Sequence, residues 1–217
     1  MKELLGYNIF RNHLSSFRWI SEDRANREYM TMSGLPGINF DDVVDEYAKR
    51  HGVKKPHSND ALFASENDGL FYLIEFKNGI IDDTKIPGII YKVYDSLLIY
   101  MDITGATVRE LRENMIYILV YNEYKKHTAR DVPDWVSKRR AIPESVPAVR
   151  NSASRTYIAA HVSEKAGMHV TRFGLKKFER LYVKEVHTFT KKEFDRYFIK
   201  KYETEYKNRP PEKSFRL

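Results

Sequence analysis

Two periodicities divide the hydrophobic positions of this chain into helices and strands. Apolar residues at a spacing of three and four predict a helix over residues 40–52, which Asn39 is suited to cap. A second helix is predicted over residues 85–102, where apolar positions cover most of the circumference and leave a polar stripe that contains Lys92. Residues 115–121 form an uninterrupted apolar run of strand length, which is typical of a strand buried on both faces.

A β-hairpin is predicted between these two helices. Its strands are residues 61–64 and 70–77, which are rich in aromatic and branched side chains. The turn contains Asn67-Asp68-Gly69, residue types that tolerate positive φ. The second strand is apolar on both faces, so we expect it to lie in the centre of the sheet.

The register of this hairpin decides which charged side chains meet at its open end. If the turn is centred on residues 67–68, Asp60 lies opposite Glu75. If the turn is centred on residues 68–69, Asp60 lies opposite Lys77 instead. In both registers the three side chains project from one face, because side chains on a strand alternate with a period of two. We therefore expect two carboxylates and an amine together at one end of the hairpin.

The other segments give less regular patterns. We expect the following elements in the N-terminal and central parts of the chain: a helix over residues 4–17, a loop over 30–37 and a short helix over 107–114. In the last third the expected elements are helices over 155–166 and 175–180, a strand over 181–189, and a final helix opened by a capping box at 190–193. The order strand, strand, helix, strand predicts an α/β fold with a mixed sheet and a crossover connection.

Charge is distributed unevenly along the chain. The net charge is +7 overall, but residues 1–124 hold 14 Lys and Arg against 19 Asp and Glu, whereas residues 125–217 hold 23 against 11. A basic segment of this kind attracts a phosphate backbone, and its densest run is Lys138, Arg139 and Arg140. We therefore predict nucleic-acid contacts at these three residues, with a solvated basic loop as the alternative.

Length and composition indicate one domain that folds without disulfides. We expect a single domain over residues 1–206, with a core of about 38–124 and an extension over 125–206, followed by a disordered tail over 207–217. No leader pattern and no apolar run of about 20 residues is present, so we expect a cytoplasmic protein that does not cross a membrane. The chain has no cysteine, which excludes disulfides and thiolate metal sites.

The hairpin resembles the active site of the PD-(D/E)XK nuclease superfamily, over about residues 40–122. Asp60 matches the first acidic residue of that motif, Glu75 the second and Lys77 the lysine. The resemblance implies a restriction-endonuclease-like fold, in which a central mixed sheet is flanked by helices. Here that fold would carry a basic α+β extension at the C-terminus. A second Glu-x-Lys begins at Glu123, but no acidic residue lies across a hairpin from it, so we interpret it as the polar end of a strand.

The same resemblance implies the ligands of a metal ion. Mg²⁺, for which Mn²⁺ substitutes, would be held by Asp60, Glu75 and the backbone carbonyl of Phe76. In this family the helix before the first strand often adds an acidic residue. Three acidic residues of the predicted helix are candidates, and we choose the last: Asp41, Asp45 and Glu46. A capped helix with a solvated acidic face is the alternative for each of them.

Catalytic roles follow for two lysines. Lys77 would orient or deprotonate the attacking water, and Lys92, on the helix after the Glu-x-Lys strand, would add a polar contact to the site. An internal ion pair between Lys92 and Asp95 is the alternative for Lys92. For the triad as a whole, the alternative is a salt-bridged strand end in an unrelated α/β domain.

Two functions remain open at this point. The first is a metal-dependent nuclease that hydrolyses phosphodiester bonds, in DNA in preference to RNA. The second is a domain of the same fold that no longer cleaves and instead binds nucleic acid or a protein partner. The sequence leaves a homodimer open in either case.

Overall fold

A six-stranded mixed sheet organises the residues that the computed structural model describes, which are residues 1–125, 127 and 171–207. The strands in chain order are β1 (Leu14–Ser16), β2 (Glu22–Asp23), β3 (Glu28–Tyr29), β4 (Pro36–Asn39), β5 (Ala61–Ala64), β6 (Phe71–Lys77), β7 (Met115–Tyr121) and β8 (Glu185–Thr190). The sheet has the order β1-β4-β5-β6-β7-β8, and β2 and β3 form a separate hairpin. Strands β6, β7 and β8 are parallel, and the other neighbours in the sheet are antiparallel. The predicted mixed α/β sheet with a crossover is confirmed.

Helices flank this sheet. They are α1 (Lys2–Leu5), α2 (Asn8–Arg11), α3 (Phe17–Ile20), α4 (Phe40–His51), α5 (Ile86–Thr104), α6 (Val108–Asn114) and α7 (residues 191–207, π-helical over Phe194–Ile199), with a 3-10 turn at Leu175–Phe178. Helix α4 starts and ends as predicted, because the Asn39 side chain accepts a hydrogen bond from the N–H of Asp42 and Gly52 adopts a φ of 64°. The capping boxes at Thr107 and Thr190 likewise fix the starts of α6 and α7.

The register of the β5–β6 hairpin is the first of the two predicted. Ala61 pairs with Ile74 and Ala64 with Phe71, which places Asp60 opposite Glu75 at the open end. The turn is longer than two residues, because the N–H of Ser65 still donates to the carbonyl of Leu70 over 2.9 Å. Residues 66–69 therefore form the loop, and Gly69 supplies the required positive φ of 65°.

The N-terminal prediction was wrong. Instead of one helix over residues 4–17, the chain forms α1, α2 and then β1, and the expected loop over 30–37 ends in β4. Strand β1 pairs with β4 through Ser15 and Gly37, where a side chain in place of the glycine hydrogen would come within 3.3 Å of the Phe17 ring. Long-range pairing and the burial of Phe17 therefore override the local helical pattern.

The C-terminal residues belong to the same sheet. The strand expected over 181–189 starts later, at β8, because the preceding residues turn and the N–H of Arg180 donates to the carbonyl of Val183 over 2.7 Å. Helix α7 packs Phe194 and Phe198 against Phe17, with ring centroids 5.9 and 5.7 Å apart. The sheet thus extends beyond residues 38–124 at both edges. The predicted helix over 155–166 and the tail beyond residue 207 lie outside the described residues.

Within the described ranges, no helix combines the length and the apolar character needed to cross a bilayer.

Candidate active site at the ends of β5 and β6

The three residues of the predicted triad meet at one end of the hairpin. Asp60 directly precedes β5, and its N–H donates to the carbonyl of Ile74 over 3.0 Å, so the antiparallel ladder holds it opposite Glu75. Glu75 and Lys77 project from the same face of β6 because they are two residues apart. The Nζ of Lys77 lies 2.6 Å from Oε1 of Glu75. Sequence reasoning therefore placed this group correctly.

Glu75 is the buried centre of the site, since its side chain is 0% exposed. Its two oxygens accept hydrogen bonds from Nζ of Lys92 over 2.8 and 3.0 Å, and Oε1 also contacts Lys77. A buried carboxylate is costly unless it is paired. Two ammonium groups, from β6 and from α5, meet that requirement here.

Lys92 joins the two carboxylates. Its Nζ lies 2.8 Å from Oε1 of Glu75 and 3.6 Å from Oδ1 of Asp60, so these two oxygens are closer together than the sum of those distances. Burial disfavours a charged amine, but the charges of Glu75 and Asp60 outweigh it and raise the pKa of Lys92 above its ordinary value. Asp95, the alternative partner, instead accepts a hydrogen bond from the N–H of His57 over 2.9 Å.

The surroundings of Asp60 raise the pKa of its carboxyl group. Although 24% of its side chain is exposed, its position in the packed end of the sheet and the nearby charge of Glu75 raise its pKa to about 7. Lys92, the N–H of Phe76 and Lys77 act in the opposite direction. At neutral pH this carboxyl group is therefore divided between its protonated and ionised forms.

Two buried polar contacts hold the start of β5 against α5. The hydroxyl of Ser96 accepts a hydrogen bond from the N–H of Asn59 over 2.8 Å, and the Asn59 amide donates to the carbonyl of Lys92 over 3.2 Å. These contacts fix Lys92 relative to Asp60. Sequence reasoning missed Asn59, whose position beside Asp60 was the available signal.

Tyr117 places a hydroxyl without a hydrogen-bond partner, among the described residues, on the same face of the sheet. It pairs with Leu73 in the parallel register and is 0% exposed. Burial, together with the charges of Glu75 and Asp60, raises the pKa of Tyr117 well above its ordinary value. The hydroxyl is therefore neutral, and it adds a dipole but no charge to the site.

The structure does not bring Glu46 to the triad through any described contact. Its carboxylate lies 2.7 Å from Nε2 of His13 and also contacts Arg50. Asp41 is the residue of α4 on the side of the site: it lies 2.8 Å from Nζ of Lys55, and its charge contributes to the raised pKa of Lys92.

The donor groups at this end of the sheet suit a hard cation. Among the described residues, no group of three or more His, Cys, Asp or Glu converges as a metal site. Mg²⁺, however, usually takes only one or two carboxylates, together with other oxygens. The N–H of Phe76 donates to Oδ2 of Asp60 over 2.6 Å, and the N–H and carbonyl of a strand residue point to the same side. Asp60, Glu75 and the Phe76 carbonyl are therefore a chemically suitable set of ligands for Mg²⁺. The ammonium of Lys92 already contacts both of these carboxylates as a cation.

The N-terminal hairpin forms the opposite wall of a cleft in front of the triad. The cleft has a volume of about 260 Å³ and is lined by Ile20, Ser21, Glu22, Asp23, Met30, Asp60, Phe76, Lys77 and Asn78. The Asn78 amide donates to Asp23 and to Glu28 over 2.8 Å each, which ties the hairpin to the end of β6. Sequence reasoning missed this wall, because β2 and β3 are two residues long and show no readable period.

The predicted nucleic-acid contacts at Lys138, Arg139 and Arg140 lie outside the described residues. In the described part of the chain, a second cleft of about 580 Å³ opens at the start of β8, at the other end of the parallel strands. Its cationic side chains are Arg112, Lys176, Arg180 and Lys184. It also contains Glu179 and Glu185, so the four cations exceed the carboxylates by two.

In comparisons with known proteins, no protein-family model, no curated protein and no solved structure matched this chain. The likeness to the PD-(D/E)XK superfamily therefore rests on the residues of the hairpin alone.

Proposed function

We propose that the protein is a metal-dependent nuclease of the restriction-endonuclease-like fold, which hydrolyses phosphodiester bonds in DNA in preference to RNA. The observation that carries this proposal is the convergence of Asp60, Glu75 and Lys77 at one strand end, with Asp60 facing Glu75. The mixed sheet and the helix that follows the Glu-x-Lys strand support it, because α5 delivers Lys92 to the same carboxylates.

The residues divide into those that hold a cation and those that handle water and phosphate. Asp60, Glu75 and the Phe76 carbonyl would hold Mg²⁺ or Mn²⁺, which when bound activates a water and compensates the charge of the phosphate. The ammonium of Lys77 orients the attacking water and offsets negative charge on the phosphate. Lys92 keeps Asp60 and Glu75 together when no cation lies between them.

The basic cleft supports a nucleic-acid substrate. Arg112, Lys176, Arg180 and Lys184 would contact phosphates away from the cleavage site. Strand β7 separates the two clefts by its length of seven residues, or roughly 23 Å at about 3.3 Å per residue. A bound strand that reaches both clefts therefore spans several nucleotides.

The test is cleavage of circular and linear DNA with Mg²⁺ by the wild type and by Lys77→Ala and Glu75→Gln. We expect cleavage by the wild type and a loss of at least about 100-fold in Lys77→Ala, the lower range for a residue that positions or deprotonates the attacking water. Glu75→Gln should lose at least as much, because it removes a carboxylate ligand of the metal ion. Lys125→Ala is a matched control, because it removes the lysine of the second Glu-x-Lys and should leave cleavage unchanged. Equal cleavage by the wild type and Lys77→Ala would exclude the assigned role.

One observation favours a second candidate function, a domain of the same fold that binds nucleic acid or a protein partner without cleaving it. Both oxygens of Glu75 are already engaged by Lys92, and Oε1 also contacts Lys77, so a metal ion has to compete with two internal cations. Binding of DNA without Mg²⁺-dependent cleavage, and without measurable binding of the metal at millimolar concentration, would favour this candidate over the nuclease.

A further inference from the structure

A large aromatic side chain lies exposed beside the candidate active site. Trp19, in α3, is 55% exposed, and Tyr29, in β3, meets it at an angle of 73° with ring centroids 5.9 Å apart. The guanidinium of Arg18 lies 5.0 Å from the centroid of Trp19 and 5.1 Å from that of Tyr29. These three side chains are called the Trp19 platform below. Because Tyr29 approaches at a steep angle, it does not cover the indole as a parallel stacked ring would.

The Trp19 platform borders the cleft of the candidate active site. The hydroxyl of Tyr29 donates a hydrogen bond to Oε1 of Glu22 over 3.3 Å, and Glu22 lines that cleft together with Asp60 and Lys77. Its volume of about 260 Å³ is slightly below the range of about 300–1,000 Å³ that is typical of drug-sized ligands. A cleft of this size corresponds to a single nucleotide unit.

Charges in the cleft separate the position of a phosphate from that of a base. Lys77 lies at the sheet side of the cleft, whereas Glu22 and Asp23 lie at the hairpin side. The carboxylates of Glu22 and Asp23 repel a phosphate and so favour its position at Lys77, but they do not repel an uncharged base. A nucleotide in this cleft thus directs its base toward the hairpin, whose Tyr29 contacts the exposed Trp19.

We infer that the Trp19 platform is a nucleobase-binding site, on which an unpaired base of a single-stranded nucleic acid stacks while the adjoining phosphate lies at the candidate triad. This inference rests on the proposed function and specifies its substrate as single-stranded. Every base has a π face, so stacking on an indole tolerates any sequence. Arg18 holds the indole in place through its own cation–π contact. A base inside a duplex is already stacked on both sides and has no free face for Trp19.

The test measures binding and leaves catalysis aside. A single strand of about eight nucleotides, the corresponding duplex and an abasic strand of equal length are titrated in metal-free buffer with EDTA. We expect the wild type to bind the single strand better than either competitor, with a change in tryptophan fluorescence. In Trp19→Ala the Kd for the single strand should rise about 30-fold, the middle of the range for one stacked base. Trp19→Phe should recover part of the loss, and circular dichroism confirms that each variant is folded.

Tyr206→Ala is the matched control, because Tyr206 is a 49% exposed aromatic side chain near the end of α7. Its Kd should equal that of the wild type. Equal affinity of folded Trp19→Ala and the wild type for the single strand, or equal affinity of the wild type for the normal and abasic strands, would overturn the inference.

Cleavage with Mg²⁺, measured separately, distinguishes this inference from the proposed function. If the wild type cleaves DNA and Trp19→Ala has the same KM for single strands, the nucleobase-binding site at Trp19 is refuted and the proposed nuclease activity is supported. If the wild type does not cleave DNA but binds bases through Trp19, the nucleobase-binding site is supported and the proposed nuclease activity is refuted. A dimer that depends on Trp19 and does not respond to oligonucleotide, observed by light scattering, would assign Trp19 to a protein interface and overturn the inference.

Discussion

Replacing Asp60 by asparagine should remove much of the pH dependence of folding stability between about pH 5 and about pH 8. Burial and the charge of Glu75 raise the pKa of Asp60 to about 7 in the folded protein, from an ordinary value of 3.8. The folded state therefore binds a proton more tightly than the unfolded state does. The stabilisation of the folded state by the proton on Asp60 is fully present below about pH 4 and is lost as the pH rises through about 7.

The size of the effect follows from the two pKa values. Between about pH 5 and about pH 8 the wild type should lose about 2.5 kcal/mol of its free energy of unfolding through Asp60 alone. The substituted asparagine cannot titrate, yet its side-chain oxygen can still accept the hydrogen bond from the N–H of Phe76. Between the same two pH values the free energy of unfolding of Asp60→Asn should accordingly fall by about 2.5 kcal/mol less than that of the wild type.

Urea unfolding in metal-free buffer with EDTA, followed at both pH values by circular dichroism, measures this difference. Glu113→Gln removes one negative charge from a 56% exposed helix position and should keep the pH dependence of the wild type. If Asp60→Asn and the wild type lose the same stability between the two pH values, the environment assigned to Asp60 is wrong.

Three further predictions concern the surroundings of the site. Lys92→Met should lower the free energy of unfolding by about 3 kcal/mol, because it leaves buried Glu75 with one cationic partner. The control Lys49→Met, at a 77% exposed position, should change the free energy of unfolding little in the same urea experiment. Tyr117→Phe should leave that free energy unchanged or raise it by about 1 kcal/mol, since the hydroxyl is buried without a described partner; a loss of stability would show that it has one. Lys184→Ala should weaken the binding of single-stranded DNA and reduce the slope of log K against log salt by about 0.7, as fluorescence anisotropy at several salt concentrations measures. An unchanged slope would show that Lys184 does not contact a phosphate.

The parts of the fold that could be predicted are those whose pattern is local. Helix α4 has its cap at Asn39 and its stop at Gly52, and both act within one turn. The turn residues narrowed the register of β5 and β6 to two possibilities, and pairing across the hairpin selected one. Strand β1 could not be predicted, because its three residues become a strand only by pairing with β4.

The same limit applies to the site. The sequence placed three acidic residues of α4 near the hairpin, but the rotation of that helix against the sheet depends on packing with other elements. Asp41 and Asp45 share one face of α4, and both contact Lys55. Glu46 lies on a different face of the helix and contacts His13. The polar stripe on α5 identified Lys92 as a candidate. Only the tertiary structure shows that Lys92 pairs with Glu75 and not with Asp95.

Binding of Mn²⁺ to the metal-free protein, measured by isothermal titration calorimetry at about pH 8, where the titration of Asp60 favours the ionised form, decides whether this strand end is a metal-dependent catalytic centre. We predict that the wild type binds the ion and that Glu75→Gln does not, while Glu123→Gln, in the second Glu-x-Lys, binds as the wild type does. Absence of binding to the wild type at millimolar Mn²⁺, or undiminished binding to Glu75→Gln, would contradict the proposal.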